Sequence, residues 1–256
     1  AAVTLKQRGF DVVVFDKRDE IGGNLHVAKK PPFKGKFEWA IDYYKSMAKK
    51  LNITMKLGKE VTAQEVLALK PHSILVATGS NVISIPLEGL DQVQTVQAHD
   101  VLANDMQFAN KKVVVIGGGI TGLETALYIN RQGTNQVSVV DMLPEWPVDM
   151  LDMRYQNEAL LEVRHCNDQG VALFYNNKVV KFADGKLFIE STKDGEVKEL
   201  PADVIVLSVG VKPNDALWQE LLASGHPSVW KAGDAIATGK INKAVLHGSK
   251  FGYSLN

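Results

Sequence analysis

Short apolar runs alternate along the chain with stretches in which apolar residues recur at helical spacing, and this pattern predicts an α/β protein. Runs that are apolar throughout are typical of strands buried on both faces of a parallel sheet. Strands are predicted over 11–16, 53–57, 74–77, 113–116, 137–140 and 203–210. Helices are predicted over 37–51, from Thr62 with Glu65 as a capping box, over 155–163, and from Asn242 onward.

Other stretches carry different patterns. Polar and apolar residues alternate in the segments that follow the helix over 155–163, which predicts an antiparallel section. Its strands are expected over 170–178, 179–182, 186–191 and 197–200, with Asp-Gly turns at 184–185 and 194–195. Residues 81–105 show no clear period and are predicted to be irregular.

A glycine-rich turn follows the predicted strand at 113–116. Gly117, Gly119 and Gly122 form the pattern G-x-G-x-x-G between this strand and a helix, which is typical of a dinucleotide-binding loop. The first glycine permits the tight turn, the second lets a pyrophosphate approach the backbone, and the third lets the helix pack on the strand. Asp141 ends the next strand, where an acid is expected for the ribose hydroxyls. Together these features predict a nucleotide site at the helix N-terminus.

The beginning of the chain repeats the second half of this unit. Residues 2–9 match 126–133 in pattern, and residues 11–16 match 136–141. We therefore expect a second dinucleotide-binding unit whose first strand and glycine loop lie upstream, in a longer protein from which this chain is a piece. A natural start of the chain at this helix is the alternative.

The repeat also predicts the domain organisation. One nucleotide-binding domain is expected over 106–225, inserted into an incomplete one that consists of 1–105 and 226–256. The tail from Val229 is assigned to the outer domain because it predicts a strand that ends at Gly233–Asp234, followed by a terminal helix.

Composition narrows the function classes. Lys+Arg 29 against Asp+Glu 29 gives a net charge of zero, so nothing in the charge favours binding to nucleic acid. No apolar run is long enough for a membrane span and no signal peptide is visible, so we expect a cytoplasmic protein without a membrane partner. Cys166 is the single cysteine, which excludes a C-x-x-C redox centre and a cysteine-held metal cluster within this chain.

The set of motifs resembles the two-dinucleotide-domain flavoprotein reductases, in which a domain for FAD is split by an inserted domain for NAD(P)H. In chain order the matching segments are Asp16 with Gly22–Gly23, Ala77–Thr78–Gly79, Gly117 through Glu124 to Ala126, Gly210 through Pro213 to Asn214, and Gly233–Asp234. The segments 141–145, 149–150 and 233–241 are most similar to the C-terminal part of NADH:flavin oxidoreductases of the old yellow enzyme and 2,4-dienoyl-CoA reductase type. In those enzymes a flavin-bearing barrel and an iron–sulfur cluster come first. FMN and a 4Fe–4S cluster are thus expected only in an N-terminal barrel domain outside this chain.

The resemblance implies a Rossmann-like fold for both domains and assigns residues to two cofactors. The FAD-binding residues that it implies are Asp16 on the adenosine ribose, Asp234 on the ribitol, and Gly22, Gly23, Thr78, Gly79 and Gly233 beside the cofactor. Those for the nicotinamide nucleotide are Gly117, Gly119 and Gly122 on the pyrophosphate, Asp141 on the ribose, Glu124 near the nicotinamide amide, and Gly210. Asp141 favours NADH over NADPH because its charge repels a 2′-phosphate. The alternative for Glu124 is a first-turn glutamate that only complements the helix dipole.

The implied reaction is hydride transfer from NADH to FAD, after which electrons pass to the upstream flavin and iron–sulfur unit. The cofactors carry this chemistry, so no catalytic side chain and no metal ligand is expected in the chain. The alternative is a structural module that binds ADP without hydride transfer, as in relatives of the trimethylamine dehydrogenase type. A disulfide reductase of the thioredoxin reductase type is excluded by the missing C-x-x-C. We expect the isolated chain to retain FAD weakly or not at all.

Overall fold

The computed structural model describes residues 1–144 and 153–256, which form two compact units. The first unit comprises 1–26, 36–83 and 211–256, and the second comprises 27–35 and 84–210. The chain thus leaves the first unit and returns to it, as predicted for one α/β domain inserted into another.

The elements are numbered in chain order. The helices are α1 (Ala2–Gln7), α2 (Leu25–Ala28), α3 (Phe37–Lys50), α4 (Ala63–Ala68), α5 (Ala98–Ala103), α6 (Ile120–Asn130), α7 (Met153–Asp168), α8 (Ala216–Ala223) and α9 (Ile241–Ser254). The strands are β1 (Val13–Phe15), β2 (Thr54–Lys56), β3 (Ile74–Val76), β4 (Ser80–Val82), β5 (Gln94–Gln97), β6 (Lys112–Ile116), β7 (Gln136–Val140), β8 (Ala172–Phe174), β9 (Asn177–Ala183), β10 (Lys186–Ser191), β11 (Val197–Pro201), β12 (Val204–Leu207), β13 (Val211–Pro213) and β14 (Val229–Lys231). Short 3-10 turns cover Leu90–Gln92 and Gly233–Ala235.

A five-stranded parallel sheet in the order β5-β12-β6-β7-β8 forms the core of the second unit. Along β6, Val113 and Val115 pack in one buried cluster with α6, while Val114 and Ile116 pack in another with β10. Burial on both faces explains why this strand is apolar at every inward position. The strands β9, β10 and β11 form a separate antiparallel sheet within the same unit.

The sheet of the first unit consists of separate pairs. β1 pairs with β2 and β3 pairs with β14, both in parallel, while β4 and β13 are antiparallel. In the second unit β6 joins β7 to β12, but among the described strands none joins β1 to β3. The repeat seen in the sequence is nevertheless present, because Gly9 after α1 and Gly133 after α6 both have positive φ, at 91° and 102°.

Every strand that the apolar runs predicted is present, and so are the four predicted helices, including the Thr62–Glu65 capping box on α4. The prediction that 81–105 is irregular is wrong. This stretch holds β4, β5 and α5, and α5 buries Ala98, Val101 and Leu102 at helical spacing. The helix is too short for its period to stand out, and β5 is a partly exposed edge strand rich in polar residues.

The predicted antiparallel strand over 170–178 is also wrong. Residues 172–174 form β8, which pairs in parallel with β7 in the main sheet, and β9 then runs unbroken across the predicted boundary at 178/179. The strands are separated by a turn at Asn176, which has a φ of 57°. Asparagine adopts this conformation more readily than most residues, so the turn needs no glycine or proline to mark it.

The compact units change over at 26/27, 35/36, 83/84 and 210/211, whereas the predicted domains change over at 105/106 and 225/226. The segment with β5 and α5 packs within the second unit, and the segment with β13 and α8 within the first. Which nucleotide each unit binds stays a prediction. Among the described residues, no helix combines the length and the apolar character needed to cross a bilayer.

Candidate functional site

The turn from β6 into α6 is built on two of the predicted glycines. Gly117 has a φ of 108°, and a Cβ at this position would lie 2.3 Å from the carbonyl oxygen of Ser208. A Cβ on Gly122 would lie 1.9 Å from the carbonyl oxygen of Gly117. Both residues are therefore required by the fold itself, one for the turn and one for the close packing of the helix.

Gly119 is different, because nothing in the described structure requires glycine there. It is the N-cap of α6 with φ −68° and ψ 173°, a conformation open to every residue. No described atom lies within 4 Å of a Cβ built at this position. The first turn of α6 leaves backbone N–H groups without helical partners, and the open space beside Gly119 lets an anionic group reach them.

Asp141 is held beside this loop by four hydrogen bonds. Its Oδ2 accepts from the Gly118 N–H at 2.5 Å, and its Oδ1 accepts from the Leu143 N–H at 2.8 Å. Its backbone N–H donates to the Phe174 carbonyl at 3.0 Å, and its carbonyl accepts from the Asn177 N–H at 2.9 Å. The structure thus brings the predicted acid and the predicted glycine loop together.

Asp16 repeats this arrangement in the first unit. Its Oδ1 accepts from the N–H of Arg18, two residues on, at 3.0 Å. Its backbone N–H donates to the Lys56 carbonyl at 3.2 Å, and its carbonyl accepts from the Lys59 N–H at 3.1 Å. The two acids therefore end equivalent strands in equivalent turns, each fastened to the strand that follows in its sheet.

Gly22 and Gly23 follow in the next loop and both have positive φ, at 128° and 51°. A Cβ on Gly22 would lie 2.5 Å from Nε2 of His26, whereas a Cβ on Gly23 would meet no described atom within 4 Å. Packing and backbone conformation thus both require glycine at Gly22, whereas the φ of Gly23 is one that other residues adopt with moderate strain.

Thr78 and Gly79 end β3 and are tied to the Pro-Asn segment. The Thr78 hydroxyl donates to the Asn214 carbonyl, and the Asn214 N–H donates to the Gly79 carbonyl at 3.0 Å. Gly79 and Gly210 both have positive φ, at 77° and 98°. Two motifs that lie far apart in the sequence are therefore adjacent in the fold.

Gly233 and Asp234 lie at the end of β14, beside the end of β3. One carboxylate oxygen of Asp234 accepts from the Gly239 N–H at 3.0 Å, and the other accepts from the Ser80 hydroxyl at 3.3 Å. The predicted FAD residues after β3 and after β14 thus lie at one edge of the same pair of parallel strands.

Glu124, on the second turn of α6, is not free to meet a ligand as a lone carboxylate. Its Oε1 lies 2.9 Å from Nζ of Lys34, which also lies 2.6 Å from Glu158 and 3.8 Å from Glu162. The ammonium is mostly buried, so one cation serves three carboxylates within the second unit. A role for Glu124 that is limited to the helix dipole does not account for this cluster.

The pKa values of Lys34 and Glu124 are both raised. Burial disfavours the charge of Lys34, but the hydrogen bonds to Glu158 and Glu124 outweigh it and raise the pKa of the ammonium. Burial also raises the pKa of Glu124, against the effect of Lys34, and the charges of Glu162 and Glu158 add to the rise. The two directions are compatible because a single positive charge is shared among three carboxylates.

Lys34 is the site residue that the sequence did not reveal. It lies in the loop between α2 and α3, where a lysine is ordinarily a solvated charge. The structure instead packs this loop within the second unit through Phe33, which has a φ of 68° and lies 5.1 Å from the His165 ring and 4.6 Å from the Arg131 guanidinium. No periodicity or spacing in the sequence signals such a contact.

Other sequence features are now placed. Cys166 is fully buried, and burial raises the pKa of its thiol to about 12, so it is unreactive. Among the described residues, no group of three or more potential ligands could hold a metal ion. Glu145 and the 149–150 segment, which contributed to the resemblance, lie outside the described residues.

Comparison with known proteins decides the family. The model of the pyridine nucleotide-disulphide oxidoreductases matches residues 1–246. The chain belongs to this family. Members named as reductases and oxidases are similar to it along most of its length. It is 30% identical to an NADH oxidase of Thermoanaerobacter brockii over all of the chain and 39% of that protein, and 33% identical to a bilirubin reductase of Mediterraneibacter gnavus over 84% of the chain and 32% of that protein.

Solved structures of the family agree with the fold. A 2-naphthoyl-CoA reductase in complex with 2-naphthoyl-CoA is similar over the whole chain, with a TM-score of 0.89 and 27% identity. The thioredoxin reductase of T. acidophilum is similar over 99% of the chain with a TM-score of 0.69, and at 18% identity it supports the fold alone. The chain spans 38% of the 2-naphthoyl-CoA reductase chain but 92% of the thioredoxin reductase. It is thus a two-unit flavoprotein fold that occurs both alone and within larger proteins.

Proposed function

We propose that the second unit binds NADH, that the first binds FAD, and that the module transfers a hydride from the one to the other. The observation that carries this proposal is the repeated acid turn. Asp16 and Asp141 end equivalent strands with the same backbone hydrogen bonds, and two such turns in one chain serve two nucleotides.

The second unit fits a dinucleotide. The space beside Gly119 lets a pyrophosphate reach the N–H groups of the first turn of α6. Asp141, held next to Gly118, is placed to accept hydrogen bonds from ribose hydroxyls, and its charge disfavours a 2′-phosphate. We therefore propose NADH rather than NADPH as the preferred nucleotide.

The first unit fits part of FAD. Asp16 would hold the adenosine ribose, and Gly22, Gly23, Thr78 and Gly79 would let the cofactor approach the backbone. Asp234 is partly exposed, and its carboxylate oxygens, already oriented by Ser80 and Gly239, can accept further hydrogen bonds from ribitol hydroxyls. When the nucleotides are bound, NADH supplies a hydride and FAD accepts it.

The side chains of this module bind and orient rather than react. Glu124 is fixed by Lys34, so its carboxylate offers a rigid acceptor near the nucleotide loop, which suits the positioning of a nicotinamide amide. Redox chemistry at a cysteine is not proposed, because Cys166 is buried and its thiol pKa is raised.

The chain spans about a third of the relatives named above, and we propose that the remainder supplies the electron acceptor. The reductase names of several relatives support an acceptor that differs between members. An upstream barrel domain with FMN and a 4Fe–4S cluster is the acceptor that the family resemblance favours.

The test is an anaerobic spectrum of the chain with added FAD, before and after NADH. We expect the visible band of the bound flavin to bleach with NADH, and to bleach more slowly with NADPH. The Asp234→Asn variant should lose flavin binding, whereas Asp91→Asn, an exposed acid on a 3-10 turn of the second unit, should behave as wild type. Bound flavin that stays oxidised in excess NADH overturns the proposal.

The same experiment examines the second candidate, an ADP-binding structural module. If ADP and NADH raise the melting temperature equally while the flavin is never reduced, that reading is correct. We favour the reductase because both the loop at Gly119 and the acid at Asp141 are intact.

A further inference from the structure

A histidine on α9 holds the backbone of the Gly233–Asp234 loop. The Gly233 N–H donates to Nδ1 of His247 at 3.2 Å. Gly233 itself has a φ of 62°, and a Cβ there would lie 3.2 Å from the Cβ of Ala244, one helical turn before His247. The loop therefore presses against α9 at the point where this hydrogen bond forms.

The hydrogen bond is one of a small set that fixes Asp234. The loop is closed by the Ile236 N–H, which donates to the Gly233 carbonyl at 3.0 Å. The Asp234 carboxylate is oriented by Gly239 and Ser80. These contacts orient the carboxylate, while the His247 contact anchors the backbone just before it.

Only one protonation state of His247 can make this contact. An imidazole nitrogen accepts a hydrogen bond only when it carries no proton, so the bond requires the neutral ring with its hydrogen on Nε2. Protonation turns Nδ1 into a donor, which then faces the Gly233 N–H, and two donors repel each other. The contact is therefore lost when the ring becomes charged.

We propose that His247 is a positioning residue for the flavin site, and that its protonation releases the Gly233–Asp234 loop and weakens FAD binding. The inference rests on the proposed function, since it takes Asp234 as a ligand of FAD. His247 acts through Gly233 and Asp234 and does not itself touch the reacting atoms. Binding of FAD and deprotonation of His247 favour each other by linkage.

Charged groups near α9 bear on the protonation of this ring. Among the described residues, those on α9 and on the elements packed against it are Lys240, Lys243 and Lys250 along α9, Asp234 on the 3-10 turn, Lys231 on β14, and Lys6, Arg8 and the amino group of Ala1 on or beside α1. Most of these groups are cations.

Two variants separate the hydrogen bond from the charge. In His247→Asn the amide Oδ1 can replace Nδ1 as acceptor but does not titrate. In His247→Leu the acceptor is absent at every pH. Measurements between about pH 5 and pH 8 span the range in which histidine side chains in general change charge.

The first readout is the amide resonance of Gly233 in the isotopically labelled chain without FAD. We expect it to shift with pH in the wild type, in step with the His247 ring resonances, and to stay constant in His247→Asn. A Gly233 amide that stays constant while the ring titrates shows that no pH-sensitive contact exists and overturns the inference.

The second readout is the dissociation constant of FAD, measured by quenching of flavin fluorescence. Loss of one hydrogen bond predicts a wild-type Kd about fivefold higher at the acidic end than at the basic end. We expect His247→Asn to keep the lower of the two wild-type Kd values and His247→Leu the higher one, both without this dependence on pH. An identical slope in all three proteins overturns the inference. Because the chain is expected to retain FAD weakly, the titration extends to a large excess of FAD. If the Gly233 amide titrates as expected but the Kd of FAD does not change with pH, the hydrogen bond exists but does not position the flavin site, and the inference fails. Bound flavin that NADH leaves oxidised at every pH contradicts the proposed function instead.

Discussion

At the scale of single residues, the three glycines of the nucleotide loop have different reasons to be glycine, and substitution can separate them. Gly122→Ala places a Cβ against the Gly117 carbonyl and should cost more than about 3 kcal/mol of folding free energy. Gly119→Ala meets no described atom and should cost less than about 1 kcal/mol, with a lower affinity for NADH because the methyl group fills the space for the pyrophosphate. Urea denaturation and an NADH titration measure the two effects.

The matched substitution in the first unit is Gly23→Ala, which separates the effect of open space at a glycine from the effect of its backbone conformation. Its Cβ would also meet no described atom, but its φ of 51° makes alanine moderately strained. A Gly119→Ala protein with unchanged NADH affinity would show that the open space is not a nucleotide site.

Asp141 gives a prediction about nucleotide choice. Asp141→Asn keeps an acceptor for the Leu143 N–H, but its NH₂ group cannot accept from Gly118, and the negative charge is lost. NADH should bind about tenfold more weakly, and the preference for NADH over NADPH should shrink. Titration with both nucleotides gives the ratio of the two constants. The control is Asp16→Asn, which should leave that ratio unchanged, and a preference that survives Asp141→Asn contradicts the assignment.

At the scale of elements, side chains of the turn between α6 and β7 form hydrogen bonds with backbone groups of the loop that precedes β6. Gln132 accepts from the Phe108 N–H at 2.8 Å and donates to the Met106 carbonyl at 2.9 Å. Thr134 and Asn135 accept from the N–H groups of Asn110 and Lys111. The segment from Gly133 to Asp141 is one residue longer than the matching segment from Gly9 to Asp16. Polar side chains of the turn between α6 and β7 provide hydrogen-bond partners for the backbone of the loop that precedes β6.

Removing the Gln132 side chain should destabilise the second unit. Gln132→Ala leaves two partly buried backbone groups without partners, at a cost of about 2 kcal/mol. Gln107→Ala, an exposed glutamine on the same loop, should cost less than about 0.5 kcal/mol. Chemical denaturation followed by circular dichroism compares the two, and equal costs would show that water replaces the Gln132 contacts.

The cluster around Lys34 gives a prediction that depends on pH. Lys34→Met leaves Glu124, Glu158 and Glu162 to repel one another, and should cost about 2 kcal/mol near neutral pH. Burial already raises the pKa of Glu124, and removing the ammonium raises it further. A carboxyl whose folded-state pKa is raised takes up a proton on folding, so the cost should shrink as pH falls toward 5. Lys36→Met, on an exposed lysine nearby, serves as control, and a pH-independent cost would contradict this account.

The elements also show where sequence reasoning succeeds and where it stops. β12 and residues 113–116 of β6 are apolar and buried on both faces of the sheet, so their positions follow from the run of apolar residues alone. The edge strand β5 and the short helix α5 carry too weak a pattern, and the turn at Asn176 lacks glycine or proline. The glycine loop and Asp141 were predictable because their spacing is fixed by local geometry. Lys34 was not, because its role depends on a contact between residues 90 positions apart.

At the scale of the whole molecule, the two units differ in how completely their sheets are built. In the second, β6 and β12 each have partner strands on both sides, and apart from Lys112 their side chains are almost fully buried. In the first, β1, β2, β3 and β14 have three residues each and form separate pairs, and Val13 of β1 is 44% exposed. Pairs of such short strands are marginal without further packing.

Hydrogen exchange should therefore report a gradient of stability between the units. In the chain without ligands, we expect the amides of β6 and β12 to exchange slowest and those of β1 and β2 fastest, because exchange follows the free energy of local opening. FAD should slow exchange in the first unit through Asp16 and Asp234, and NADH should slow it at 117–122 in the second, because a ligand stabilises the structure that it binds. Mass spectrometry of peptic fragments measures both effects on one sample. If FAD protects the second unit instead, the assignment of the two nucleotides is reversed. If β1 and β6 are equally protected without ligand, the first unit is stabilised by more than its paired strands.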